Sequence, residues 1–153
     1  MEITNTARIE APLDQVWDVL RDIPRTARCL PGTTIDEKID EQTYKAGVTL
    51  KVGPVALTYR ATIRRTLLDE SAHAAVLDVE AADTKGRGNA AATMRTSAGA
   101  DGEATIVTVA ADARISGVLA QFGGGMIQSV AGRLLAQFAA NVREEVARGR
   151  SAT

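Results

Sequence analysis

One cysteine, one histidine and 3% aromatic residues are what this 153-residue sequence has least of. With Cys29 alone, no internal disulfide can form, which suits a reducing compartment. His73, the single histidine, sits at a turn and reads as a solvated loop residue. A metal site needs several histidines, cysteines or clustered carboxylates; the sequence assembles no such set, so neither a metal ligand nor a catalytic residue is assigned. The aromatics are too few for a base-stacking platform. Eighteen basic against 19 acidic residues leave no basic surplus for nucleic acid. No apolar run reaches the length of a membrane span. The opening stretch "MEITNTARIEAPLDQVWDVL" does not read as a signal peptide. A cytoplasmic location is expected.

What is abundant is alanine, 27 residues of it. The length fits one domain, expected over 1–148 with a disordered end at 149–153, and such a chain buries a core without disulfide or metal. With much alanine and few aromatics, that core is built from small side chains. Either its elements pack very closely or space is left over.

The patterning gives an order of elements. "EITNTARIE" reads as a strand, and "APLDQVWDVLRD" as a helix with Pro12 in its first turn and Val16, Trp17, Val19 and Leu20 at helical spacing. Pro24 ends that helix, and "RTARCL" gives a second short one. Six strands follow. The cleanest, "TYKAGVTLKV", sets Tyr44, Ala46, Val48, Leu50 and Val52 against Thr43, Lys45, Thr49 and Lys51. In "VALTYRATI", Val55, Leu57, Tyr59, Ala61 and Ile63 share a face. One-sided alternation means an antiparallel sheet with one dry face. The chain closes with a helix expected from Ser116 to about Ala147, the one element large enough to cover that face. The middle of the dry face is alanine: Ala46, Ala61, Ala81, Ala90, Ala92, Ala111 and Ala113. Helix over alanine leaves a void, which is costly when empty and so suits an apolar ligand. A strongly curved sheet that packs tight is the competing outcome.

The terminal helix carries Gly123, Ile127, Ala131, Leu134, Phe138 and Val142 in one stripe. A second apolar line, Val118, Phe122 and Met126, exists only in its first half. That line either packs under the short helices near Trp17 or lines the mouth of a cavity. Three consecutive glycines, Gly123, Gly124 and Gly125, cost about 1 kcal/mol each against alanine in a helix. They serve either as a bending gate or to let a strand approach closely.

Other candidates are weak. Arg25 and Arg28 flank Cys29 and would lower its pKa, but no base accompanies it. "DTKGRGNA" opens a strand, so its glycines suit a tight hairpin rather than a phosphate loop. Asp78, Glu80, Asp112 and Arg114 read as outward, solvated charges.

The element order resembles the helix-grip fold of the SRPBCC (START-like) superfamily. This is an α+β fold: a seven-stranded curved antiparallel sheet wraps a long C-terminal helix, with two short helices between strands one and two. More narrowly, "CLPGTT", "YKAGVTLKVGPVALTYRATI", "DTKGRGNAAATM" and "ISGVLAQFGGGMIQSVAGRLLAQFAANV" resemble the carbon monoxide dehydrogenase CoxG family over about residues 1 to 146. That family accompanies molybdenum-containing carbon monoxide dehydrogenases and related hydroxylases and is associated with attaching them to the cytoplasmic membrane. Many members carry a tail beyond the helix; this sequence stops at "RGRSAT".

The resemblance and the small interior together imply a non-catalytic accessory protein, peripheral to the inner face of the membrane. It would hold a hydrophobic small molecule, an isoprenoid quinone such as menaquinone or ubiquinone, and no covalently bound cofactor. The expected lining is Val48, Leu50, Tyr59, Leu77, Val107, Phe122, Met126, Val130 and Leu134, with Tyr59 able to bond a quinone carbonyl and Gly123, Gly124 and Gly125 as the gate. Two other readings stay open: a ligand-free membrane-recruitment adaptor for the dehydrogenase, and a START-like cyclase or hydrolase.

Overall fold

A computed structural model describes residues 1–151 and places seven strands and four helices among them. β1 (Glu2–Ile9) is followed by α1 (Leu13–Leu20) and α2 (Ile23–Cys29). Then come β2 (Thr33–Asp40), β3 (Thr43–Val52), β4 (Val55–Asp69), β5 (Ala74–Asp83), β6 (Asn89–Asp101) and β7 (Ala104–Ile115). The chain closes with α3 (Val118–Gln121) and α4 (Gly123–Ser151). All strand pairs are antiparallel, in the order β1-β7-β6-β5-β4-β3-β2. α4 lies along β1 and against α1 and α2, on the dry face of this curved sheet.

Local chemistry explains the short helices. Pro12 stands before α1 in extended conformation. Asp22 caps α2 by accepting from the Arg25 N–H, and Pro24 falls in the first turn of α2, where its missing N–H costs nothing. Pro24 therefore opens the second helix as well as excluding the first. The strands obey the alternation read from the sequence but run further. β4 continues to Asp69 past a bulge between Arg65 and Leu67, and β6 continues to Asp101.

Two expectations are corrected. The unbroken helix over 116–147 is two helices: Gly123 takes φ +82°, a conformation that favours glycine, and α4 starts there. His73 is not a freely solvated loop residue; it turns the β4–β5 hairpin at φ +51° and sets its ring edge-on to Trp17, centroids 5.5 Å apart. At the other end α4 runs on through Ser151, into the segment expected as a disordered end; residues 152 and 153 lie outside the described residues.

Candidate functional site

The alanines of the dry face stand in cross-strand register. Ala46 pairs Ala61, Ala61 pairs Ala81, Ala81 pairs Ala90, and Ala90 pairs Ile115. On either side of this small-residue belt the protein packs two separate apolar clusters. One gathers Ile9, Trp17, Val107, Leu135, Phe138 and Val142, where the second half of α4 meets α1 and the sheet. The other gathers Val52, Leu57, Tyr59, Leu119, Ile127 and Val130, with Leu50, Phe122 and Leu134 packed against it. α4 changes cluster between Leu134 and Leu135.

Between the clusters lies a stretch of inner face that belongs to neither. Ile63 pairs Val79 and Val79 pairs Ala92; in the next row Leu77 pairs Met94 and Met94 pairs Ala111. All six side chains are apolar, and all are only half-buried. Val48 shares both properties. These inward-facing apolar residues are not fully covered by the protein's own atoms.

The expected lining is divided by this geometry. Leu77 belongs to the uncovered stretch, while Val48, half-buried, stands opposite Tyr59; Leu50, Phe122 and Leu134 are half-buried at the margin of the second cluster. Tyr59 and Val130 are buried inside that cluster. Val107 is fully buried in the first cluster, away from the rest. Met126 is 43% exposed, so it is not part of the core. Ile63, Val79, Met94 and the alanines complete the stretch; strand alternation marks all of them as inward-facing, but only position within the folded sheet puts them between two clusters.

The segment expected as a gate has a defined construction. α3 carries only the start of the second apolar line: Val118 lies in it and Phe122 caps it, both half-buried, while Met126 lies in α4; Leu119 of α3 is buried. α3 is bracketed by Gly117 at φ +84° and Gly123 at φ +82°. A Cβ on Gly123 or Gly125 would meet nothing within 4 Å, and one on Gly124 would meet only the Met1 Cε at 3.4 Å. The triplet therefore does not serve close approach to a strand. Gly117 does serve a close approach, against Arg87 and Gly88.

Beside this segment, Asp83 is buried and takes four hydrogen bonds: from the Lys85 and Arg87 backbone N–H groups and, bidentately, from Arg87 Nε and Nη2. The Arg87 guanidinium holds its carboxyl down to about 2. Asp83 pairs Tyr59 across the sheet. Burial first, and the Asp83 charge second, push the Tyr59 phenol above its ordinary value. Tyr59 thus stays protonated, and its hydroxyl donates to no acceptor among the described residues.

A second buried acid lies at the far end. Glu145 Oε1 accepts from Arg25 and Arg28 at 3.1 Å each, and Oε2 accepts from Arg148 at 3.0 Å. Arg148, then Arg25 and Arg28, bring its carboxyl to about 2. The neighbouring Cys29 thiol moves the opposite way from expectation, up to about 11, because burial and the Glu145 charge outweigh the arginines. Both buried carboxylates are thus committed to arginines. Among the described residues there is no group of three histidine, cysteine or acidic side chains placed to hold a metal, and no helix is long and apolar enough to cross a membrane.

On the outer face an open hollow of about 600 Å³ is bordered by Arg60, Glu80 and Arg114 over a floor that includes Ala82 and Ala91. Its rim is charged: Arg60, Glu80 and Arg114 alternate away from the dry face that carries the expected lining.

A curved antiparallel sheet gripping a terminal helix is the START-like fold. A conserved protein from Geobacillus kaustophilus superposes with TM-score 0.84 at 24% identity, covering 97% of this chain and 96% of that one. A START superfamily protein from Mycobacterium smegmatis gives 0.63 at 14%, covering 96% and 97%. An aromatase/cyclase from Streptomyces sp. R1128 gives 0.65 at 18%, covering 97% and 94%. These likenesses show the fold. No curated protein matches. Within that class, residues 6–147 match the carbon monoxide dehydrogenase CoxG family, and the chain belongs to it.

Proposed function

We propose that this protein is a non-catalytic carrier that holds an isoprenoid quinone beneath α4 and presents it to a carbon monoxide dehydrogenase, or a related molybdenum hydroxylase, at the membrane surface. The observation that carries this reading is the uncovered apolar stretch of Ile63, Leu77, Val79, Ala92, Met94 and Ala111 between two packed clusters. Apolar lining with few polar groups suits a greasy molecule. Tyr59, protonated and with its hydroxyl uncommitted, supplies the polar contact a quinone carbonyl would take. Phe122, half-buried, and Met126, exposed, form the entrance beside the Gly123 break. The family match supports the dehydrogenase as partner. An exposed methionine suits an adaptable contact with lipid.

The test is native mass spectrometry of the protein after incubation with menaquinone-containing vesicles, beside an Ala92→Trp variant. A quinone-sized adduct on the parent chain and none on the folded variant is the expected result. No adduct on the parent chain overturns the carrier reading. The ligand-free adaptor would then stand only if Phe122→Asp still removed association with the dehydrogenase or with vesicles.

A further inference from the structure

The two edges of the sheet are built differently. β2 carries two register irregularities and a run of charged residues, the usual protection against pairing with another chain. β1 has neither: it pairs β7 regularly from Glu2 to Ile9, and its other edge has no strand.

The hydrogen bonds at its start fix which groups that open edge presents. The Met1 amino group donates to the Ala113 carbonyl, and the Ala113 N–H donates to the Met1 carbonyl, both at 2.8 Å. Antiparallel pairs alternate between bonded and non-bonded. Ile3, Asn5, Ala7 and Ile9 therefore bond β7, while the N–H and C=O groups of Glu2, Thr4, Thr6 and Arg8 point away from the sheet.

That set is self-complementary. A second β1 placed antiparallel about a two-fold axis through Asn5 sets Glu2 opposite Arg8 and Thr4 opposite Thr6. All four pairs then fall on outward-pointing groups, each exchanging two backbone bonds. Opposite charges and threonine pairs are favourable across strands. Arg8 also meets Glu10 and Asp101 within the chain. Asn5, on the axis, has no side-chain hydrogen bond among the described residues and would face its own copy.

Space for the second copy lies beside the strand. A groove of about 330 Å³ runs between Asn5 and Ala7 on β1 and Gly132, Leu135, Ala136 and Ala139 on α4. The flank of α4 next to it carries small residues, with Gly125, Ser129 and Ala136 exposed. Small side chains let two helices related by the same axis pass closely.

We infer that this protein forms an isologous dimer through the β1 edge, joining two sheets into one and bringing the two α4 helices together over it. The full chain should sediment at micromolar concentration with twice the 16.1 kDa mass of one chain. Thr4→Pro removes an outward N–H and no bond of the monomer; Ala136→Arg puts a long side chain on the α4 flank. Both variants should fold, by unchanged circular dichroism, and sediment at the single-chain mass. A parent chain that sediments as a monomer overturns the inference. So does a dimer that survives both substitutions. The carrier reading stands or falls separately, on the quinone adduct.

Discussion

Gly88 and Gly117 meet backbone to backbone. A Cβ on Gly88 would stand 2.2 Å from the Ser116 carbonyl oxygen, and one on Gly117 would stand 1.9 Å from that of Arg87. This contact ties the β5–β6 hairpin to the entry of α3, and the Val118 N–H donates to the Arg87 carbonyl beside it. Backbone cannot move aside as a flexible side chain can, and both glycines have positive φ. Gly117→Ala should therefore lose about 2–5 kcal/mol, the sum of conformational strain and overpacking. Urea denaturation measures it; a loss under about 1 kcal/mol would mean the clasp relaxes freely.

The glycine triplet should split under the same measurement. Gly125 lies within α4 with open space around it, so Gly125→Ala should stabilise by about 1 kcal/mol. Gly123→Ala should destabilise by about 1–2 kcal/mol in equally open space, because φ +82° is strained for any residue with a Cβ. If bending at the triplet serves loading, Gly125→Ala should also slow quinone uptake from vesicles without lowering the final occupancy.

The Glu145 cluster makes a pH prediction. Its folded pKa is about 2 against an ordinary 4.5. A depressed carboxylate stabilises the fold above its unfolded pKa and loses that contribution as pH falls through the folded value. Thermal stability should thus fall as pH drops from about 4.5 to 2. Glu145→Gln should flatten that part of the profile while lowering stability at pH 7, where three arginines would lose their anion.

Cys29 should be inert. Its thiol is buried and raised to about 11, so the thiolate that reacts is scarce at neutral pH. Iodoacetamide should label the native chain far more slowly than the unfolded one. Rapid native labelling would show that α2 opens from α4.

Much of this structure is legible in residue order. Alternation from Tyr44 to Val52 and from Val55 to Ile63 needs only the two-residue period of a strand, and it assigned the dry face correctly. The alanine content already implied a thin core. Other features depend on partners far along the chain. Three adjacent glycines look alike in sequence; that Gly123 alone turns to φ +82° is set by where α3 must lie. Arg25 and Arg28 adjoin Cys29 in sequence, yet Glu145, over a hundred residues away, takes both and reverses the expected pKa direction.

By itself, then, the sequence determined the antiparallel sheet, the closing helix and an interior of small residues, because periodicity and side-chain volume are local properties. Only the tertiary structure decided that the core divides in two around an uncovered apolar stretch. It also committed Asp83 and Glu145 to arginines and left β1 as the open edge. Each of these depends on which distant surfaces meet, and the closure of the sheet around α4 sets that.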